Sequence, residues 1–214
     1  MSKIRLIAPA VLIVFCLMLS GCMKTWSVTF NDQGDIEDWR ILHESNMNDF
    51  YSITADGLML EGYKAIAPYA FFGDCSMTVQ FYLECDSSDP QFFCILEFSD
   101  ENDLPNDQLK LSMTNLGVPS TEMFWVIDSS GSSLADGGPI PGLNRGGLNI
   151  VKIIKEGDTI TVKVNGDQLF SGPFTDYSIT YVVPRFIAFK VDESDAVLLF
   201  KSIRVNYEGD MLKL

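Results

Sequence analysis

Ile153-Ile154-Lys155-Glu156-Gly157-Asp158-Thr159-Ile160-Thr161-Val162-Lys163-Val164-Asn165-Gly166 decides the fold class of this 214-residue chain. Two β-prone runs flank Gly157-Asp158. Along 159–164, apolar and polar residues alternate with the period of a strand that buries one face. Asn165-Gly166 suits a two-residue hairpin turn, because both residues tolerate the positive φ that such a turn requires. It leads into Gln168-Leu169-Phe170, so 149–155, 159–164 and the segment after Gly166 read as consecutive antiparallel strands.

Working outward, strands are expected over 76–84, 91–98, 108–114, 122–127, 185–191 and 196–206. Shorter ones are expected over 25–30, 39–43, 51–54 and 58–63. Helical periodicity is hard to find after Cys22. A dozen short strands separated by turns, without intervening helices, point to an all-β protein built as a two-sheet antiparallel sandwich. Fifteen Phe give its core bulk. Runs 92–96 and 196–200 are apolar on both faces and read as central or loop-covered strands. If 76–84 and 91–98 fold symmetrically about Ser88, Cys94 lies opposite Tyr82. The Gly/Ser-rich stretch 129–147 reads as a surface loop with a small strand at 133–135, or as a functional loop.

Three motifs in order extend this reading. Val28-Thr29-Phe30-Asn31-Asp32 precedes Trp39, the 153–166 hairpin follows, and Leu199-Phe200-Lys201-Ser202-Ile203-Arg204-Val205 closes the chain. Together they resemble concanavalin A-like lectin/glucanase domains (laminin G-like jelly rolls) over about residues 26–207. The resemblance implies a jelly-roll sandwich with Trp39 as a packed anchor. It does not select a chemistry, because lectins, glycosidases and interaction modules share this architecture.

The N-terminus carries a separate message. Met1-Ser2-Lys3-Ile4-Arg5 is basic, residues 6–19 are apolar, and Leu19-Ser20-Gly21-Cys22 resembles a bacterial lipobox,. This makes 1–21 a signal peptide, Cys22 a lipidated first residue, 22–25 a short tether, and 208–214 a C-terminal tail. The apolar run is shorter than the ~20 residues that span a bilayer and contains Pro9. Met23, and not Asp, follows the cysteine. By resemblance to the sorting rule of Gram-negative lipoproteins, this favours the outer membrane. The expected location is the cell envelope, with attachment to the membrane through the lipid.

The chain has 29 acidic and 15 basic residues, and residues 65–144 hold Lys110 alone against 12 acids. Nucleic-acid binding needs the opposite sign and is excluded. The same charge repels anionic headgroups, so the lipid alone is expected to hold the membrane. Cys75, Cys85 and Cys94 read as buried free thiols, with no metal or redox spacing.

Asp86, Asp89, Asp100 and Asp103 supply hard oxygen ligands on two turns and are the candidate ligands of a structural calcium ion. Asn31, Asp32 and Asp35 form a second cluster. Candidate glycan platforms are Trp125 and Tyr82, with Tyr63 and Tyr69 behind them. Trp125 is expected to share a core-facing side with Met123 and Ile127. The paired carboxylates of a retaining glycosidase are not recognisable. His43, the one histidine, reads as a strand-end residue. The leading expectation is a non-catalytic module binding a glycan or cell-envelope component. The alternatives are a hydrolase resembling keto-disaccharide hydrolase domains and an assembly lipoprotein with a protein partner.

Overall fold

The Asn165-Gly166 turn forms with the backbone that the dipeptide favours, φ being 49° at Asn165 and 96° at Gly166,. The computed structural model describes residues 23–43, 50–84, 92–99, 108–115, 122–128, 132–173, 181–190 and 197–214. Among them, every strand pairing is antiparallel.

Sheet one runs β14 (Asp167–Pro173), β13 (Thr159–Val164), β12 (Gly147–Glu156), β7 (Cys75–Glu84), β16 (Val197–Tyr207), β4 (Gly57–Glu61), β3 (Phe50–Thr54), and β1 (Lys24–Thr29) also pairs with β16. Sheet two runs β11 (Ser133–Gly137), β10 (Glu122–Ile127), β9 (Gln108–Asn115), β8 (Phe92–Ser99), β15 (Tyr181–Lys190), β5 (Tyr63–Ile66), β2 (Arg40–His43). In that sheet β6 (Tyr69–Phe72) pairs with β15, and β17 (Met211–Lys213) pairs with β6. The fold is the expected all-β, two-sheet antiparallel sandwich.

Alternation places the core between the sheets. Met77, Val79, Phe81 and Leu83 of β7 point inward, as do Ile203 and Val205 of β16 and Phe186 of β15. The Phe186 and Phe200 rings stack at 4.5 Å and join the two sheets. Each such side chain contributes about 1.5–3 kcal/mol on burial. Trp39 is a packed anchor, its ring 5.4 Å from Phe30 and 5.3 Å from Phe186.

Three expectations change. First, β7 and β8 are not a hairpin, because they belong to different sheets. β12 and β16 occupy both edges of β7, so β8 has no edge there to join. Cys94 therefore faces Met113 and Ala188, and not Tyr82. Second, the run 58–63 breaks at Gly62, whose φ of 74° carries the chain from β4 in sheet one to β5 in sheet two,. Third, the stretch read as a tail adds β17 to β6. Lys213 Nζ reaches Asp38 Oδ2 at 2.8 Å, and that hydrogen bond raises the lysine pKa.

Candidate functional site

The 3-10 turn Gln33–Ile36 lies between β1 and β2. Asp32 Oδ1 accepts from the Gly34 N–H at 2.8 Å, and Asp35 Oδ2 accepts from the N–H groups of Asn31 and Asp32 at 2.7 and 3.0 Å. This is a reciprocal cap,. It occupies both carboxylates with backbone donors, which accounts for the acidic cluster at 31–35 without a metal. Ile36 drops into the core, and the Trp39 N–H returns to the Ile36 carbonyl at 3.0 Å.

Between this turn and the edge strands β2 and β3 lies a cleft of about 550 Å³, lined by Gln33, Gly34, Ile36, Glu37, Trp39, Ile41 and Tyr51. Its size falls within the range of small-ligand sites, roughly 300–1,000 Å³. Trp39 is buried, whereas Tyr51 is 39% exposed. Tyr51 packs edge-on against Tyr63 at 5.2 Å, and Tyr63 against His43 at 5.3 Å. An aromatic surface with Gln33 and Glu37 beside it can stack on a sugar face and hydrogen-bond its hydroxyls. His43 is the expected strand-end residue.

The predicted platforms do not meet. Trp125 lies on the outer face of sheet two and Tyr82 on the outer face of sheet one. The expected facing of β10 is reversed: Phe124 and Val126 are buried, while Met123, Trp125 and Ile127 are only half-buried. Apolar residues occupy both phases of 122–127, and the larger inward contact went to Phe124. The register aligns Trp125 with Ser112, Ile95, Ile187 and Lys64 across sheet two. Ser112 and Ile187 are buried there, Lys64 is 7% exposed, and the neighbouring Arg185 is fully buried. The backbone register sets Glu97 across from Arg185. A sheet face that buries its cations is not an open platform. Tyr82 is half-buried, with Lys201 Nζ 5.7 Å above its ring.

Asp86, Asp89, Asp100 and Asp103 fall outside the described residues, as do Cys22 and Cys85. Among the described residues, no three acidic, His or Cys side chains form a group able to hold a metal ion. Cys75 and Cys94 are buried free thiols, as read from the sequence. Burial pushes each from an ordinary pKa of 9.0 up to about 12, with Lys155 opposing and Asp74 adding to the effect at Cys75.

The Gly/Ser-rich stretch, where described, is tied down. Ile140 is buried in the core. Asn149 Oδ1 accepts from the Asn144 N–H at 2.7 Å, and Asn165 Nδ2 donates to the Gly142 carbonyl at 2.7 Å. The same asparagine that makes the hairpin turn thus clamps the loop.

No family model and no curated protein matches the chain. Solved structures do. The exoplasmic/lumenal domain of VIP36, in a form bound to Ca²⁺ and Man3GlcNAc, matches with TM-score 0.63 and 10% identity over 88% of this chain and 91% of that one. Lectin I-B4 from Griffonia simplicifolia matches with TM-score 0.61 and 14% identity, over 87% and 99%. This protein is a jelly roll. The Crh5 transglycosylase matches with TM-score 0.61 and 11% identity, over 86% and 85%. The jelly roll is therefore shared with sugar-bound and sugar-processing proteins alike, and these identities establish architecture alone. Sequence reasoning missed Tyr51, Gln33 and Glu37. The available signals were the adjacent Phe50-Tyr51 pair opening a short strand and the Asp32-x-x-Asp35 cap.

Proposed function

We propose that this jelly roll is a non-catalytic glycan-binding module of the bacterial cell envelope, anchored through an acylated Cys22, with its ligand in the cleft between the 33–36 turn, β2 and β3. The observation that carries the reading is the exposed Tyr51 ring at a ligand-sized cleft with Gln33 and Glu37 on its wall. Solved structures of the same fold hold mannose oligosaccharides and N-acetylglucosamine. Glu37 is the one carboxylate among the described lining residues, whereas glycoside hydrolysis draws on two. Calcium is a structural candidate at Asp86, Asp89, Asp100 and Asp103. The lipobox supports the anchor, and in a Gram-negative host Met23 after the cysteine supports an outer-membrane destination.

A glycan panel probed with the purified protein, in calcium and in chelator, tests the reading. Selective binding that falls at least tenfold in Tyr51→Ala, with circular dichroism unchanged, is the expected result. Binding that survives Tyr51→Ala but falls in Trp125→Ala would move the site to sheet two. Absence of binding in both conditions would reject the glycan reading. For the anchor, a metabolic lipid label should enter the wild type and not Cys22→Ser.

A further inference from the structure

We propose that the outer face of sheet one is a docking surface for an anionic lipid bilayer, so that the sandwich lies flat on the membrane; this rests on the Cys22 anchor proposed above. The charge of the whole chain hides an asymmetry that the strand register exposes. Lys163, Lys152, Thr78, Arg204 and Ser27 stand side by side across five strands. The residues that alternate with them (Val162, Val151, Val79, Ile203) are buried, so this row faces outward.

The next two rows lead with Ile150 and Leu148, each 39% exposed. Ile150 aligns with Gln80 and Ser202, and Leu148 with Tyr82 and Leu199. Among the described residues these rows contain no acid. Glu84 and Glu156 lie at opposite ends of the face. Cations flanking exposed aliphatic side chains are the pattern of a surface that meets headgroups and the first acyl carbons.

The position of the chain start selects the occupant. Met23 lines a cleft at the margin of this same face with Lys152, Ile154 and Lys155, and with the acids Asp74, Glu156 and Glu208. Cys22 is the preceding residue, and consecutive Cα atoms are about 3.8 Å apart. Acyl chains on Cys22 would therefore leave the protein at this margin, next to the face that carries the basic row. This revises the expectation that the lipid alone carries attachment, because the middle of the face holds Lys152, Lys163 and Arg204, while the acids Asp74, Glu156 and Glu208 are confined to its margin.

The test uses the protein purified from membranes of a bacterial host. The mass of its N-terminal peptide reads acylation independently of docking. An environment-sensitive fluorophore is attached at Ile150→Cys, and separately at Asp136→Cys on the other sheet, both in a Cys85→Ser background. Cys75 and Cys94 are buried and do not compete for label.

In vesicles containing phosphatidylglycerol, the probe at 150 should shift to the blue and the probe at 136 should not. Lys152→Glu with Arg204→Glu should abolish the shift while the acyl anchor keeps the protein on the vesicle. Equal signals at both positions, or a shift unchanged by charge reversal or by pure phosphatidylcholine, would overturn the proposal. An unacylated N-terminus would refute the anchor by itself, and co-sedimentation of that chain would then decide docking. A preference for anionic vesicles that falls at least ~25-fold in the double variant, about fivefold for each basic residue lost, would support it. No preference would overturn it.

Discussion

Asn149 has no exposed surface, yet its amide accepts from the Asn144 N–H and from Asn165 Nδ2 and donates to the carbonyls of Asn144 and Gly147. Asn149→Ala would leave several of these groups without partners in a dry site. It should lower unfolding free energy by about 2–3 kcal/mol in urea titration; a loss below ~0.5 kcal/mol would mean that the loop is held by its apolar contacts. The thiols make a second residue-scale prediction. Their folded pKa of about 12 lies above the ordinary 9.0, so the folded state keeps protons that the unfolded state releases. Their contribution is complete below pH 9 and declines between pH 9 and 12. Ellman titration at pH 8 should leave Cys75 and Cys94 unreacted until denaturant is added; rapid reaction in the native protein would refute their burial. At this scale Asn165-Gly166 was legible because a turn dipeptide is local. Asn149 was not, because its partners are brought to it by the loop.

Among elements, strands were legible, and partners were legible only where a tight turn joins them, as in β12, β13 and β14. Period-two alternation marked β9 and β13 directly. The choice of neighbours depended on which edges remained free, and so β7 and β8 parted although a short connection joins them. β10 shows the other limit: with apolar residues in both phases, alternation cannot say which side faces the core. The β3–β4 turn carries a prediction. Gly57 has φ 136°, and a Cβ there would lie 2.7 Å from the Phe200 carbonyl oxygen. Gly57→Ala should destabilise by about 1–3 kcal/mol, read from the shift of the urea midpoint. An unchanged midpoint would show that β4 can slide away from β16. The candidate cleft was missed for an element-level reason, since it lies between edge strands of different sheets that no sequence window contains together.

For the molecule as a whole, the sandwich followed from strand number, turn spacing and the absence of helices, all of which are visible in sequence. The ligand did not follow, because one architecture accommodates many surfaces. The charge sum was legible and its distribution was not: sheet register, and not composition, gathers Lys152, Lys163 and Arg204. The last strand also belongs to the whole. Deleting residues 209–214 would uncover β6, whose Ala70 and Phe71 are buried, and remove the Lys213–Asp38 pair. The melting temperature should fall by several degrees, on the order of 2–4 °C per kcal/mol for a protein of this size. An unchanged melting temperature would make β17 an appendage.

The pairing of β1 with β16 has a consequence for the order of events in the cell. Thr25 hydrogen-bonds Asn206, 181 residues further along the chain. A chain emerging amino end first, from a ribosome or through an export pore, delivers β1 long before its partner exists. The sandwich can close only after nearly the entire chain has emerged. Until then β1 is an open strand edge next to Cys22, the proposed site of acylation, and shielding it in that interval falls to factors outside the protein.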